Sequence, residues 1–247
     1  MTVQTDARAA KIRLYVEHGL GPGQRVPLSQ PQAHYLFKVM RLDQGARVLL
    51  FNGRDGEWLA EVVQTAKRGG SLALLSKSRP QSVPPDVWLL FAPVKKARTD
   101  FIVEKAVEMG AARIVPVQTE YTNASRLPRA RLQATAVEAA EQCGATHVPE
   151  VADLAKLPAV LADWSKNRRL LFCDEALAGD TVCPQQAFSA PAAILVGPEG
   201  GFSQAERNWL GQLPFTTRIS LGPRILRAET AAIAAFALWQ SGAGDWG

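Results

Sequence analysis

The sequence predicts an α/β protein: a mostly parallel sheet in the C-terminal two-thirds, preceded by a small β-barrel. Three observations carry this. From residue 86 onward, short apolar runs alternate with segments of helical spacing, the pattern that lays strands in a parallel sheet with helices on its faces. Residues 11–79 instead hold short apolar or alternating runs, separated by Gly, Pro, Asn and Asp. Between the two, Ser78-Arg79-Pro80-Gln81-Ser82-Val83-Pro84-Pro85 carries three prolines and favours an extended linker. The expected domains are therefore residues 1–83 and 84–247.

Taken in order, residues 1–10 read as an unstructured lead. Strands are expected at residues 11–16, 47–51, 58–63 and 72–75, with turns at Gly19-Leu20-Gly21-Pro22-Gly23, Asn52-Gly53-Arg54-Asp55-Gly56 and Gly69-Gly70. One helix interrupts them at residues 31–41, where Ala33, Leu36, Phe37 and Met40 recur at helical spacing. In the second part, strands are expected at residues 87–92, 113–117, 170–173, 192–196 and 218–221. The helix at 99–109 should turn Phe101, Ile102, Ala106 and Met109 inward and stop at Gly110. A helix at 128–143 starts on a proline and ends at Gly144. Ser203-Gln204-Ala205-Glu206 has capping-box spacing and opens another, and residues 228–240 form an apolar last helix.

Composition narrows the function. At 247 residues and 47% hydrophobic, the chain can bury a substantial core, and it has no apolar run long enough to span a membrane. The N-terminus is polar and lacks the apolar stretch of a secretory signal, so a cytoplasmic protein is expected. Cys143, Cys173 and Cys183 form no C-x-x-C pair, which argues against a zinc site or disulfide framework; each reads as a small buried apolar residue. The formal charge of +5 is uneven: residues 1–83 carry 12 Lys/Arg against 6 Asp/Glu, and the remainder 16 against 17. A basic leading module suggests a polyanionic partner, most simply nucleic acid.

Two glycine-bearing segments carry the strongest chemical signal. One is Ile194-Leu195-Val196-Gly197-Pro198-Glu199-Gly200-Gly201-Phe202-Ser203; the other is Leu221-Gly222-Pro223-Arg224-Ile225-Leu226-Arg227-Ala228-Glu229-Thr230-Ala231. Each places a loop between an apolar strand and a helix, at the strand end where parallel sheets bind ligands. Neither is a phosphate loop: there is no G-x-G-x-x-G and no G-K-[ST], so a neutral or cationic ligand fits better than ATP. Glu229 also suits a helix N-terminus on electrostatic grounds, and Arg227 also suits a surface ion pair. Lys95-Lys96-Ala97-Arg98 follows a strand end and could meet RNA phosphates or simply be a solvated loop. Glu138, Glu141 and Gln142 share one helix and suit either a partner or a solvated face. The three histidines, His18, His34 and His147, pair with no nucleophile in any catalytic order, and no metal-ligand motif occurs.

Together these segments resemble the RsmE family of 16S ribosomal RNA (uridine-N3)-methyltransferases, of the SPOUT superfamily. The resemblance runs from about Arg13 to Gln240. It is carried by His34-Tyr35-Leu36-Phe37-Lys38-Val39-Met40-Arg41, residues 95–105 with Glu108-Met109-Gly110, Glu141-Gln142-Cys143-Gly144, and the two glycine segments. It implies a PUA-like RNA-binding barrel at 1–83 and a SPOUT methyltransferase domain at 84–247 with a deep trefoil knot. It also implies a homodimer, with Ile233, Phe236, Leu238 and Trp239 in either core or dimer contacts. The cofactor implied is S-adenosyl-L-methionine. The residues expected to hold it are Leu171, Phe172, Leu195, Val196, Gly197, Pro198, Glu199, Gly200, Gly201, Leu221, Gly222, Ile225, Leu226 and Thr230.

This cofactor has no phosphate and a cationic sulfonium, which suits the missing phosphate clamp. Its methyl group is already activated, so the protein must mainly align the acceptor. Removing the uridine N3 proton leaves negative charge on two carbonyl oxygens, which a cation would steady. Arg227 is the expected cation and Glu229 the site-organising or proton-accepting carboxylate; Arg41, Lys95, Lys96 and Arg98 are the expected RNA contacts. The resemblance implies 16S ribosomal RNA of the small subunit as partner, at a uridine of the decoding region, with no membrane or metal. The chain departs from the family in having Tyr121 and Ala145 where arginine is usual; nearby Arg126 and Arg129 could restore some charge. Alternative readings are a SPOUT enzyme acting on transfer RNA or a ribose 2′-oxygen, and a non-catalytic RNA-binding assembly factor.

Overall fold

The computed structural model describes residues 10–66, 69–179 and 188–246. Cys183 and the expected lead at 1–9 lie outside the described residues. The chain divides into two compact units: residues 1–83 with 140–148, and residues 84–139 with 149–247.

The first unit is a five-stranded sheet in the order β1-β3-β4-β5-β2. Its strands are β1 (Arg13–Tyr15), β2 (Arg25–Pro27), β3 (Arg47–Phe51), β4 (Glu57–Ala66) and β5 (Gly69–Arg79). β1 runs parallel to β3, and the other pairings are antiparallel. The β3–β4 turn closes because the Asn52 side-chain oxygen accepts from the amides of Arg54 and Asp55. Gly56 adopts φ 79°, and a Cβ there would lie 2.4 Å from the Arg79 carbonyl. The expected helix is two pieces. α1 (Gln30–His34) opens on a Ser29–Gln32 capping box, and Tyr35–Val39 continues as a π-helical turn. Leu36 reaches the core, while Met40 is exposed rather than inward.

Glu57 is the polar centre of this unit, its side chain only 3% exposed. It accepts hydrogen bonds from Arg13 Nε (2.7 Å), Arg79 Nε (2.9 Å), Arg79 Nη2 (2.7 Å) and Ser78 Oγ (2.9 Å). Burial pushes its carboxyl up, but the hydrogen bonds from Arg79, Arg13 and Ser78 outweigh this and hold it below the ordinary value. Arg13 also donates to the carbonyls of Ala140, Glu141 and Ala145, and Arg79 to that of Gly144. Glu141 accepts from the Tyr15 amide, so the backbone of 140–145 is tied to β1. Ala145 thus contributes through its carbonyl.

The second unit is an all-parallel sheet in the order β12-β10-β11-β6-β7-β8, with β9 also pairing β7. The strands are β6 (Val87–Phe91), β7 (Arg113–Gln118), β8 (Glu150–Val151), β9 (Ala155–Lys156), β10 (Arg169–Cys173), β11 (Ala192–Val196) and β12 (Thr216–Ile219). The helices are α2 (Lys96–Glu108), α3 (Arg129–Cys143, its last residues from 140 counted with the first unit), α4 (Leu157–Ala162), α5 (Gln204–Gln212) and α6 (Ala228–Ala243). β11 is apolar throughout, and β10 is apolar after its exposed Arg169, because neighbours cover both faces of a parallel sheet. Phe172 and Phe202 pack edge to face, centroids 4.8 Å apart.

The structure corrects several expectations. α2 begins at Lys96, so Lys96, Ala97 and Arg98 lie in its first turn rather than in a loop. Phe101 is exposed, with Lys105 over its ring, and Val103 and Val107 take the inward places beside Ile102 and Ala106. Cys143 is exposed, at the end of α3, while Cys173 is buried as expected. Of the apolar residues of α6, Phe236 and Trp239 are core, and Ile233 and Leu238 are half-buried.

Candidate functional site

β10, β11 and β12 end side by side, with Phe172 paired to Leu195 and Cys173 to Ile219. Beyond their carboxyl ends lies a cavity of about 450 Å³. That is within the roughly 300–1,000 Å³ range of small-molecule sites, and the position is the ligand side of a parallel sheet. Three loops wall it, one after each strand. Capping fixes where the loop after β11 ends: Ser203 Oγ accepts from the Glu206 amide, and Glu206 accepts from the amide of Ser203.

The loops are tied to one another. The Gly179 amide donates to the Gly222 carbonyl at 3.2 Å, and Ser220 Oγ donates to that of Leu177 at 3.0 Å. Glu175 accepts from the Phe202 amide (2.9 Å) and from Arg207 (2.8 Å). Asp174, its side chain fully buried, accepts from Arg218 Nε at 2.7 Å. Gly201 adopts φ 70°, and a Cβ there would lie 2.3 Å from Glu175 Oε1, so the loop closes over Glu175 only with glycine. Burial, reinforced by Asp174, pushes the Cys173 thiol well up, so it stays protonated and is no nucleophile.

The cavity brings together Val196, Gly197, Pro198, Glu199, Gly201, Leu221, Gly222, Ile225, Leu226 and Arg227 from the sequence expectation. It does not include Leu171, Phe172, Leu195, Gly200 or Thr230. The first three are fully buried in the sheet just before the strand ends. Gly200 lies against Tyr121, and Thr230 is exposed on α6. Sequence reasoning did not single out Asp174, Glu175, Ala178, Ile219 or Arg224, which also line it. The signal for Asp174 and Glu175 was available: two acids directly after an apolar strand in a parallel sheet.

Charge around the cavity is divided. Arg98 reaches it from α2 and pairs with Glu199 of the first glycine loop and, at 3.6 Å, with Glu229 of α6. Glu229 Oε2 is buried with no hydrogen-bond partner. Arg227 stands at the N-cap of α6, exposed, its side chain making no cap bond. Lys95 and Lys96 are exposed beside Arg98, and Arg41, on the other unit, is exposed with φ 55°. Among the described residues no group of His, Cys, Asp and Glu could hold a metal ion, and no helix is long and apolar enough to cross a membrane.

Comparisons with known proteins agree with this architecture. Residues 81–240 match the RNA methyltransferase domain family, and residues 28–74 match the RNA methyltransferase PUA domain family. The ribosomal RNA small subunit methyltransferase E of Rickettsia conorii is 30% identical over 231 residues, covering 91% of this chain and 93% of that one. The protein of the same name from Synechocystis is 31% identical over 218 residues, covering 86% and 71%. The crystal structure of ribosomal RNA small subunit methyltransferase E from Neisseria gonorrhoeae bound to S-adenosyl methionine superimposes with a TM-score of 0.87 at 27% identity, covering 96% and 99%. A Legionella pneumophila methyltransferase in complex with bound S-adenosylmethionine gives 0.85 at 29%, covering 95% and 98%. With both parts of the chain matched and the Rickettsia relative aligned over more than nine-tenths of either chain, the chain belongs to the ribosomal RNA small subunit methyltransferase E family of RNA methyltransferases.

Proposed function

We propose that the protein transfers a methyl group from S-adenosylmethionine to N3 of a uridine in the decoding region of 16S ribosomal RNA. The observation that carries this is the cavity of about 450 Å³ at the ends of β10, β11 and β12, walled by backbone-rich loops with acidic and basic side chains at its edge. Asp174, Glu175 and Glu199 line it together with Arg98, Arg224 and Arg227, and the glycine loops offer amides and carbonyls to an adenine edge. The bound cofactor supplies an activated methyl group.

The chain's own task is alignment and charge. Val196, Gly197, Pro198, Gly201, Leu221, Gly222, Ile225 and Leu226 hold the cofactor, and Glu199 contributes charge at the rim. Arg227, exposed at the start of α6, steadies the uracil oxygens as N3 loses its proton. Glu229, two residues on, organises that helix start. Lys95, Lys96 and Arg41 contact RNA phosphates, and residues 1–83 act as the RNA-binding domain ahead of the methyltransferase domain at 84–247. The SPOUT trefoil knot, a homodimer and a cytoplasmic setting complete this reading. Its support is the glycine-loop pair and the near end-to-end match to the family.

The direct test is methyl transfer from labelled S-adenosylmethionine to unmodified small ribosomal subunits and to free 16S RNA, with nucleoside analysis. The expected product is 3-methyluridine at a single site; a methylated ribose, or transfer only to transfer RNA, would overturn the assignment. Arg227→Ala should lower kcat about 10²-fold while cofactor affinity stays within about threefold. Equal loss of both would remove Arg227 from the role.

A further inference from the structure

We infer that Arg98 is a positioning residue of the methyl-transfer site, acting through Glu229, rather than a contact to RNA phosphate. This rests on reading the cavity as the methyl-donor site. Arg98 lies in the first turn of α2 and lines the cavity. Its Nη1 bonds Glu199 of the first glycine loop, and its Nε lies 3.6 Å from Glu229 Oε1 on α6. One guanidinium thus joins the three elements that frame the site.

Two features separate it from Lys95 and Lys96. A phosphate approaching Arg98 would meet two carboxylates already on the same cation, and they would repel it. Glu229, in turn, depends on Arg98. Its side chain is 15% exposed, its Oε2 is buried without a partner, and Arg98 is its cation among the described residues. A carboxylate so placed cannot lose its counter-charge and stay put. It must swing toward water, and that change disturbs the first turn of α6. Arg227 is the N-cap of that turn. The chain of effect therefore runs from Arg98 through Glu229 to the orientation of Arg227, and its signature is in turnover.

The test compares wild type with Arg98→Gln, Arg98→Lys, Glu229→Gln and the Arg98→Gln/Glu229→Gln double variant. Steady-state kinetics on unmodified small subunits give kcat and KM, and filter binding against salt gives the RNA slope. Arg98→Gln should cut kcat about 10- to 100-fold, with RNA KM and the salt slope unchanged. Arg98→Lys should recover most of the loss, and the double variant should be no slower than Glu229→Gln alone. A flatter salt slope with kcat intact, or losses that multiply in the double variant, would overturn the inference. Amide exchange of residues 197–201 and 228–231 reads the brace without activity. Faster exchange there in Arg98→Gln supports it even if wild type shows no transfer, which would count against the proposed reaction alone; unchanged exchange rejects it.

Discussion

In the N-terminal unit one carboxylate, Glu57, sits between two guanidiniums; in the C-terminal unit one guanidinium, Arg98, sits between two carboxylates. The first cluster is centred on a buried acid: Glu57 is 3% exposed and accepts four hydrogen bonds from Arg13, Arg79 and Ser78, with Arg79, at 49%, reaching water. The second is centred on a partly exposed cation: Arg98 is 33% exposed, Glu199 44% and Glu229 15%. A buried carboxylate cannot lose its partners without stranding charge, so Glu57 specifies how a β-sheet unit closes. The exposed Arg98–Glu199 arm contributes little to stability because water screens it, and it is free to serve geometry at a site instead. Similar chemistry is thus used for folding in one place and for alignment in the other.

That contrast is sharpest for Glu57→Ala, which leaves Arg13 and Arg79 without their acid. We expect a loss of about 3 kcal/mol, read as a lower urea midpoint at unchanged m-value. A loss under about 1 kcal/mol would place Glu57 with the surface pairs. Next is Gly201→Ala, which forces a side chain into φ 70° against Glu175. The backbone cost alone is about 1–2 kcal/mol. It should appear as cofactor binding about tenfold weaker by calorimetry, since the strained loop walls the cavity; unchanged affinity would show that the loop relaxes freely.

Acid provides a third break. The Glu57 carboxyl is held below its ordinary value, so its contribution is complete above the unfolded carboxylate pKa of about 4.3 and disappears as pH falls through the folded value. Wild type should therefore lose stability below about pH 4.3 more steeply than Glu57→Gln, as read by urea midpoints from pH 3 to 6. Parallel curves would mean that another group governs acid unfolding. The smallest effect is expected for Arg98→Gln, whose folding stability should stay within about 1 kcal/mol of wild type by thermal melt.

The same contrast governs how much could be read from sequence. β3 and β11 were legible to the residue, as continuous apolar runs bounded by turn residues. So were the Ser203 capping box and the stop at Gly110, which adopts φ 78°. β2 has three residues with only Val26 buried, and β8 and β9 have two each, too short for periodicity to register. The start of α2 carried no signal because its N-cap, Lys95, offers no side-chain cap. β12 begins on Thr216-Thr217, polar enough that the strand was placed two residues late. The cavity was legible as two glycine loops. The Arg98 pairing was not, because Arg98, Glu199 and Glu229 meet only when three distant segments converge.

One joint on the far side of α6 gives these ties a mechanical meaning. Gln240, almost wholly buried, donates to the Met109 carbonyl at 2.7 Å, just past the end of α2. At the other end of the same two helices, Arg98 meets Glu229. α2 and α6 are therefore two parallel rods riveted at both tips, and such a pair resists sliding and twisting but transmits both. Gln240 follows Glu229 by 11 residues of α6, about 16 Å along the helix, so a chain cut before Gln240 loses one rivet at that distance from the other and loosens it.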